Sequence, residues 1–360
     1  MKRINSVLLI LTSIGIIACN SGGSSSSGGS TGVSPNPYPT AGTFPTMPDG
    51  FATAVPSFVQ PQSSSLQIAW GYNTNPAALN LAAFVEMDYN GSWICSATPI
   101  ESDGAGGTWL VGAAHCFVSS KTAGGVPNLL PTGSISISKG FGAAVFGESA
   151  PTRPRIIKAL SATVYIPSNY CAGGAISGIS DCKNFSSASG GQGNDIALIH
   201  INTKFNESEV YPQINNGSDY PAAYTMAPVL SLGYGDNNVT GGNGKLFYVV
   251  NYFYQESNAR GYHYLYNSYF NPASGNYGYS ELVCGGDSGG GDLYWNGTNW
   301  ILLSEHTYGP ENACGQFYNY LPNGATNVSA YYDWLQSIMK SSNPIAECNS
   351  GVIAGCVTNG

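Results

Sequence analysis

The sequence predicts an all-β protein that ends in one helix. Three observations carry this. Short apolar or alternating runs separated by turn residues begin near residue 67, among them Ala83–Tyr89, Ser134–Ser138, Ala162–Ile166 and Phe247–Tyr254. The pairs Asn90-Gly91 and Asn296-Gly297 fall between such runs. They read as hairpin turns, because Asn and Gly accept the positive φ that tight hairpins require. Glycine supplies 47 of 360 residues and only 9% are charged, against about a quarter in an average globular chain. Strands at this spacing build barrels or sandwiches, and no repeat at solenoid or propeller spacing is present.

Taken in order, the chain opens with Met1-Lys2-Arg3 and a mostly apolar run from Val7 to Ile17. That run is too short to span a bilayer and reads as a secretory signal over residues 1–18. It ends Ile16-Ile17-Ala18-Cys19, which resembles a bacterial lipobox and implies cleavage before Cys19 and lipidation of that cysteine. An ordinary signal cut near Ala18 is the alternative. Of nine cysteines, setting Cys19 aside leaves an even set suited to an oxidising compartment. Residues 19–66 form a tether or propeptide rich in Ser, Gly and Pro, with no charge between 20 and 48. Such a segment cannot bury enough apolar surface to fold, and as a flexible chain it spans roughly 35–40 Å.

The folded domain is expected over residues 67–340. Ser329–Met339 reads as a helix with Ser329 as N-cap, Asp333 near its favourable end, and Trp334, Leu335 and Ile338 on one face. Residues 341–360 are expected as a C-terminal tail. The net charge is −8, or −10 once the first 18 residues with Lys2 and Arg3 are gone. This argues against nucleic acid, which needs a basic face.

The chemistry centres on Cys284-Gly285-Gly286-Asp287-Ser288-Gly289-Gly290. Glycines beside a serine leave room for a substrate carbonyl and let backbone N–H groups converge on one point. A serine hydroxyl alone is a poor nucleophile and needs a base and an orienting carboxylate. Trp109–Cys116 supplies His115, and Asn194–Ile201 supplies Asp195. His200 lies in an apolar run and reads as structural. No Cys/His cluster has metal-ligand spacing, so neither a metal nor a cofactor is expected.

These segments, in the order His, Asp, Ser, resemble a trypsin/chymotrypsin-like serine peptidase. The resemblance implies two antiparallel β-barrels with the site between them, closed by the C-terminal helix. It implies His115, Asp195 and Ser288 as catalytic triad and the N–H groups of Gly286 and Ser288 as oxyanion hole. Ser304 matches the family serine that hydrogen-bonds the catalytic aspartate, and Gly233-Tyr234-Gly235 resembles the family's Gly-Trp-Gly. Leu282 falls at the pocket floor, with Ser304, Glu305 and His306 along the pocket. Cys95–Cys116 and Cys284–Cys314 match family disulfides, leaving Cys171–Cys182 and Cys348–Cys356 as local pairs. In the family a freed N-terminal Ile or Val pairs with the aspartate before the active serine, here Asp287. Ile68 either plays that part or opens the first strand. The implied protein is an anchored or secreted monomeric endopeptidase acting on polypeptides, made as a zymogen. It would sit in a bacterial envelope through Cys19, or be released by processing. An esterase of the α/β-hydrolase type requires the order Ser, acid, His, and only His306 follows Ser288. A non-catalytic binding module is the other alternative. Two departures stand out: the long Cys116–Asp195 stretch, and Glu305-His306 where the family has Trp-Gly.

Overall fold

A computed structural model of the chain describes residues 72–73, 85–89, 92–121, 126–139, 156–170, 194–204, 211–219, 227–233, 247–254, 262–266, 268–271, 276–280, 286–296, 298–308 and 323–360. The signal segment, Cys19, the tether, Ile68, Leu282 and the cysteines Cys171, Cys182, Cys284 and Cys314 lie outside the described residues.

The strands are, in order, β1 (Tyr72–Asn73), β2 (Val85–Tyr89), β3 (Ser92–Ser102), β4 (Thr108–Gly112), β5 (Val118–Lys121), β6 (Pro127–Leu129), β7 (Ile135–Lys139), β8 (Ile156–Ala159), β9 (Thr163–Pro167) and β10 (Ala197–Ile201). They continue with β11 (Gln213–Ile214), β12 (Ala227–Gly233), β13 (Phe247–Tyr254), β14 (Tyr262–Tyr266), β15 (Ser268–Asn271), β16 (Asn276–Ser280), β17 (Gly291–Trp295), β18 (Trp300–Tyr308) and β19 (Asn323–Asn327). Helices α1 (Tyr332–Met339) and α2 (Pro344–Asn349) precede the last strand, β20 (Cys356–Thr358). The expected strand runs fall on β2, β7, β9 and β13.

Two eight-stranded sheets result. The first has the order β20-β9-β10-β4-β3-β2-β7-β8; the second runs β1-β13-β12-β17-β18-β19-β14, with β11 beside β18. The expected two barrels are therefore met as two large, almost wholly antiparallel sheets rather than two closed barrels. The first runs open from β20 to β8, and in the second β14 also pairs with β13.

Central strands carry apolar residues on both faces, and the alternation of side chains sends each face to a different core. Leu110, Ala197, Ile199, Val164 and Ile166 fill the interior of the first sheet, while Ile301, Leu303 and Val229 fill that of the second. The residues between them in sequence, Val111, Leu198, Tyr165 and Leu302, meet Leu230, Leu293 and α1 residues Leu335 and Ile338 in a shared core that joins both sheets. Each Val, Leu or Ile among them, fully buried, contributes about 1.5–3 kcal/mol.

The hairpin signals hold in different ways. Tyr89 pairs with Ser92, so two residues connect β2 to β3. Between β17 and β18, Trp295 pairs with Trp300, and Asn296 Oδ1 accepts from the N–H groups of Thr298 and Asn299. That Asn acts through its side chain rather than through a two-residue turn. The helix cap also differs from expectation. Asn327 Oδ1 accepts from the Ser329 N–H at 3.0 Å, and a 3-10 turn over Val328–Tyr331 precedes α1. Ser329 is thus a donor to the cap, not the cap.

Residues 341–360 are fastened to the first sheet through β20. The Cys348–Cys356 disulfide closes α2 onto β20, and β20 pairs with β9. Beyond it, Asn359 Oδ1 accepts from Val164 N–H at 2.8 Å and Asn359 Nδ2 donates to the Leu130 carbonyl at 2.8 Å. Asn359→Ala should therefore remove the acceptor of the Val164 N–H in β9 and a donor to the Leu130 carbonyl beside the sheet. We expect a loss of about 1–3 kcal/mol in unfolding free energy, read from urea denaturation. An unchanged midpoint would show that the Asn359 clamp does not support the sheet.

Candidate active site

His115 sits in a 3-10 turn, Ala114–Cys116, immediately after β4. Asp195 lies just before β10, the strand that pairs with β4, so sheet pairing brings the two together across 80 residues of sequence. The contact is double. The His115 backbone N–H donates to Asp195 Oδ1 at 2.8 Å, and ring Nδ1 lies 2.7 Å from Oδ2. A carboxylate only accepts, so the ring proton is placed on Nδ1 and Nε2 is left as the basic nitrogen. Asp195 is fully buried and His115 about one fifth exposed. The residue before the aspartate, Asn194, has φ of 54°. It is held there by Tyr331 Oη, which donates to its Oδ1 at 2.8 Å, and by its own Nδ2, which donates to the Asn169 carbonyl.

Ser288 lies on the short loop leading into β17. That loop is seated on the first sheet: Ser96 N–H donates to the Ser288 carbonyl at 2.9 Å and Ser96 Oγ to the Gly286 carbonyl at 2.9 Å. Gly286 and Gly289 both have positive φ, 91° and 81°. At Gly289 no side chain fits, because a Cβ would stand 2.5 Å from the Ser96 carbonyl oxygen and 2.8 Å from the Ala113 nitrogen. Ser288 is thereby set beside the turn that carries His115. Among the described residues no hydrogen bond joins Ser288 Oγ to His115; bonds of this kind tighten when substrate arrives. The Cys95–Cys116 disulfide braces the same turn, and its two sulfurs, though near His115, are spent on each other.

Behind the serine loop lies a buried polar network that motif reading missed. Asp292, in β17, accepts from Ser231 Oγ at 2.5 Å and from Ser304 Oγ at 2.8 Å. Its Oδ1 also lies 2.8 Å from His306 Nε2. The other ring nitrogen of His306 lies 3.2 Å from the Asp287 carbonyl oxygen. Three expectations are corrected here. Ser304 bonds Asp292 and not Asp195. His306 is 1% exposed with both ring nitrogens engaged, so it does not face a substrate. Glu305 is fully buried on the opposite face of β18, where its Oε1 accepts from Thr307 Oγ1 at 3.1 Å. Thr307 in turn bonds Thr326. The reason is strand alternation: 304 and 306 share one face, 305 and 307 the other. None of the three lines an open pocket wall.

The charge balance is equally specific. Burial, and next the charge of Asp195, push the Glu305 carboxyl well above its ordinary value, against hydrogen bonds from Thr326 and Thr307 that pull it down. Its Oε2 has no partner among the described residues. Burial, with the charges of Asp195 and Glu305, also raises the Tyr331 phenol. Gly233, at the end of β12, lies so close to Asp287 that a Cβ there would collide with the carboxylate. His200 pairs with Asp103 at 2.8 Å and packs on Trp109, 4.4 Å between ring centroids, as a structural histidine. The visible signal for the missed network was the run Ser304-Glu305-His306-Thr307 inside an otherwise apolar strand, opposite an aspartate in another.

Residues 167–335 match the Trypsin family model, and the match supports a trypsin/chymotrypsin-like serine peptidase. It takes in Asp195 and Ser288 and begins after His115, whose placement is carried by the geometry above. No curated protein matches the chain.

Gly289→Ala tests the seating of the loop. The added methyl meets backbone on the opposite sheet at a positive φ, so the loop must move. We expect a drop in kcat/KM on the order of 10²-fold, as for an ångström-scale misplacement of a reacting group. Wild-type turnover in this variant would refute the seating as a functional constraint.

Proposed function

We propose that the protein is an exported serine endopeptidase that cleaves peptide bonds through an acyl-enzyme. The observation that carries this reading is the doubly bonded His115–Asp195 pair with the Ser288 loop seated beside it. In this reading Ser288 Oγ attacks the scissile carbonyl while His115 Nε2 takes its proton. The N–H groups of Gly286 and Ser288 stabilise the oxyanion. His115 then returns the proton to the leaving amine, and water repeats the sequence on the ester. Asp195 holds the ring tautomer and stabilises the imidazolium.

The remainder of the reading rests on sequence. Cys19 anchors the protein in a bacterial envelope, and the tether holds the peptidase domain of residues 67–340 off the membrane, as a monomer. Cleavage before Ile68 frees an ammonium for Asp287 and releases the domain in the same step, since no cysteine lies between residues 20 and 67 to retain the propeptide. Leu282 gives the pocket an apolar floor, and a bare cation in an apolar slot is costly. Apolar or aromatic residues before the scissile bond are therefore preferred over Lys and Arg.

Ser288→Ala should abolish turnover and fluorophosphonate labelling while leaving the fold intact, with a residual rate of about 10³–10⁴ over water. Asp195→Asn should cost about 10⁴ in kcat by reversing the His115 tautomer. An unlabelled wild-type protein with no proteolysis would mark a non-catalytic binding module, and activity confined to small esters an esterase. In a peptide library, cleavage dominated by Arg and Lys would refute the Leu282 argument.

A further inference from the structure

His306 is a buried titratable group that the proposed acyl transfer does not use, yet it is fastened to the serine loop at three points. Its backbone N–H donates to the Gly290 carbonyl at 2.8 Å, and its carbonyl accepts from Gly289 N–H at 2.9 Å. Its ring Nδ1 reaches the Asp287 carbonyl oxygen at 3.2 Å, the same oxygen that accepts from Gly290 N–H in the turn around Ser288. Its Nε2 faces Asp292 at 2.8 Å.

Both ring nitrogens thus face acceptors. A carbonyl oxygen cannot donate, and the Asp292 carboxylate is already receiving hydrogen bonds from Ser231 and Ser304. A neutral imidazole offers one donor and one acceptor, so it satisfies only one of these contacts; the imidazolium satisfies both. We propose that the His306 imidazolium is a built-in cation that positions the Ser288 loop from behind, held by Asp292 and offsetting one of the two negative charges of Asp287 and Asp292. It is a positioning residue, and its effect on rate rests on the reading of Ser288 as nucleophile.

The groups facing the ring are Asp292 from β17, Asp287 from the serine loop, Ser231 from β12 and Ser304 from β18; the residue opposite it on β19 is Ala325. Glu305, next along β18, has its side chain on the other face. Burial alone would pull the ring down, but the charge and hydrogen bond of Asp292, with the charge and carbonyl of Asp287, raise it above its ordinary 6.5. A raised folded-state value fixes the sign. The contribution is fully present below about 6.5 and is lost as pH rises through the raised value. The loop therefore loosens on the alkaline side.

The test uses the full chain with ¹⁵N-labelled histidine, the His306 signals being assigned by their loss in His306→Gln. Both ring nitrogens of His306 should show imidazolium shifts at pH 7. In His306→Gln, kcat should fall on the order of 10²-fold with KM little changed. Asp292→Asn removes the anion that holds the charge, so the alkaline limb of the kcat profile should move to lower pH. A neutral His306 ring at pH 7, or an alkaline limb that stays in place in folded Asp292→Asn, overturns the proposal. Absence of fluorophosphonate labelling at Ser288 in the wild type would instead sink the nucleophile reading, and the ring shifts would still decide the charge of His306.

Discussion

Among the described residues, four carboxyl groups lie fully buried around one serine loop: Asp195, Asp287, Asp292 and Glu305. A buried carboxylate without compensation is costly, so the arrangement of the centre follows from how each is handled. Asp195 takes two hydrogen bonds from His115, one from the backbone and one from the ring. Asp292 is met by Ser231, Ser304 and His306. Glu305 is handled in the opposite way: its surroundings favour the neutral acid, which spares Asp195 a second negative neighbour. Asp287 lies against a glycine, Gly233, where any side chain would displace its carboxylate. The site is therefore a set of charges sorted by the two faces of β18, one face serving Asp292 and the other lying towards Asp195.

The pairing of His115 with Asp195 and the place of Ser288 beside them were legible because each residue sits in a short local motif. The strands were legible because β7, β9 and β13 alternate or run apolar, and α1 because Leu335 and Ile338 share a face. The faces of β18 were not. A one-residue offset in a strand reverses every side chain. Assigning Ser304 to Asp195 therefore put it on the wrong face, and the register Asp292↔Ser304 decides the matter. The cap was missed for a related reason: Asn327 and Ser329 are both capping residue types two positions apart, and the 3-10 turn, which takes in Ser329, is capped by the first. The tail was underestimated because β20 is three residues long and pairs with β9 across nearly 190 positions, beyond the reach of local pattern.

The two halves of the centre differ in how far the chain must travel to make them. The serine loop, Asp292 and His306 belong to one hairpin, with contacts 19 residues apart or fewer. Bringing His115 to Asp195 spans 80 residues, and seating Gly286 on Ser96 spans 190. Closing a tenfold longer loop costs about 2 kcal/mol more in chain entropy. The long contacts therefore carry the larger entropic cost of the two. On the proposed reading, parting the sheets would leave the serine on its hairpin and take its base away. If the protein is the endopeptidase proposed above, such an opened chain would be a substrate for its intact neighbours and no longer an agent of cleavage. Self-digestion would then remove the damaged copies and be carried out only by the sound ones.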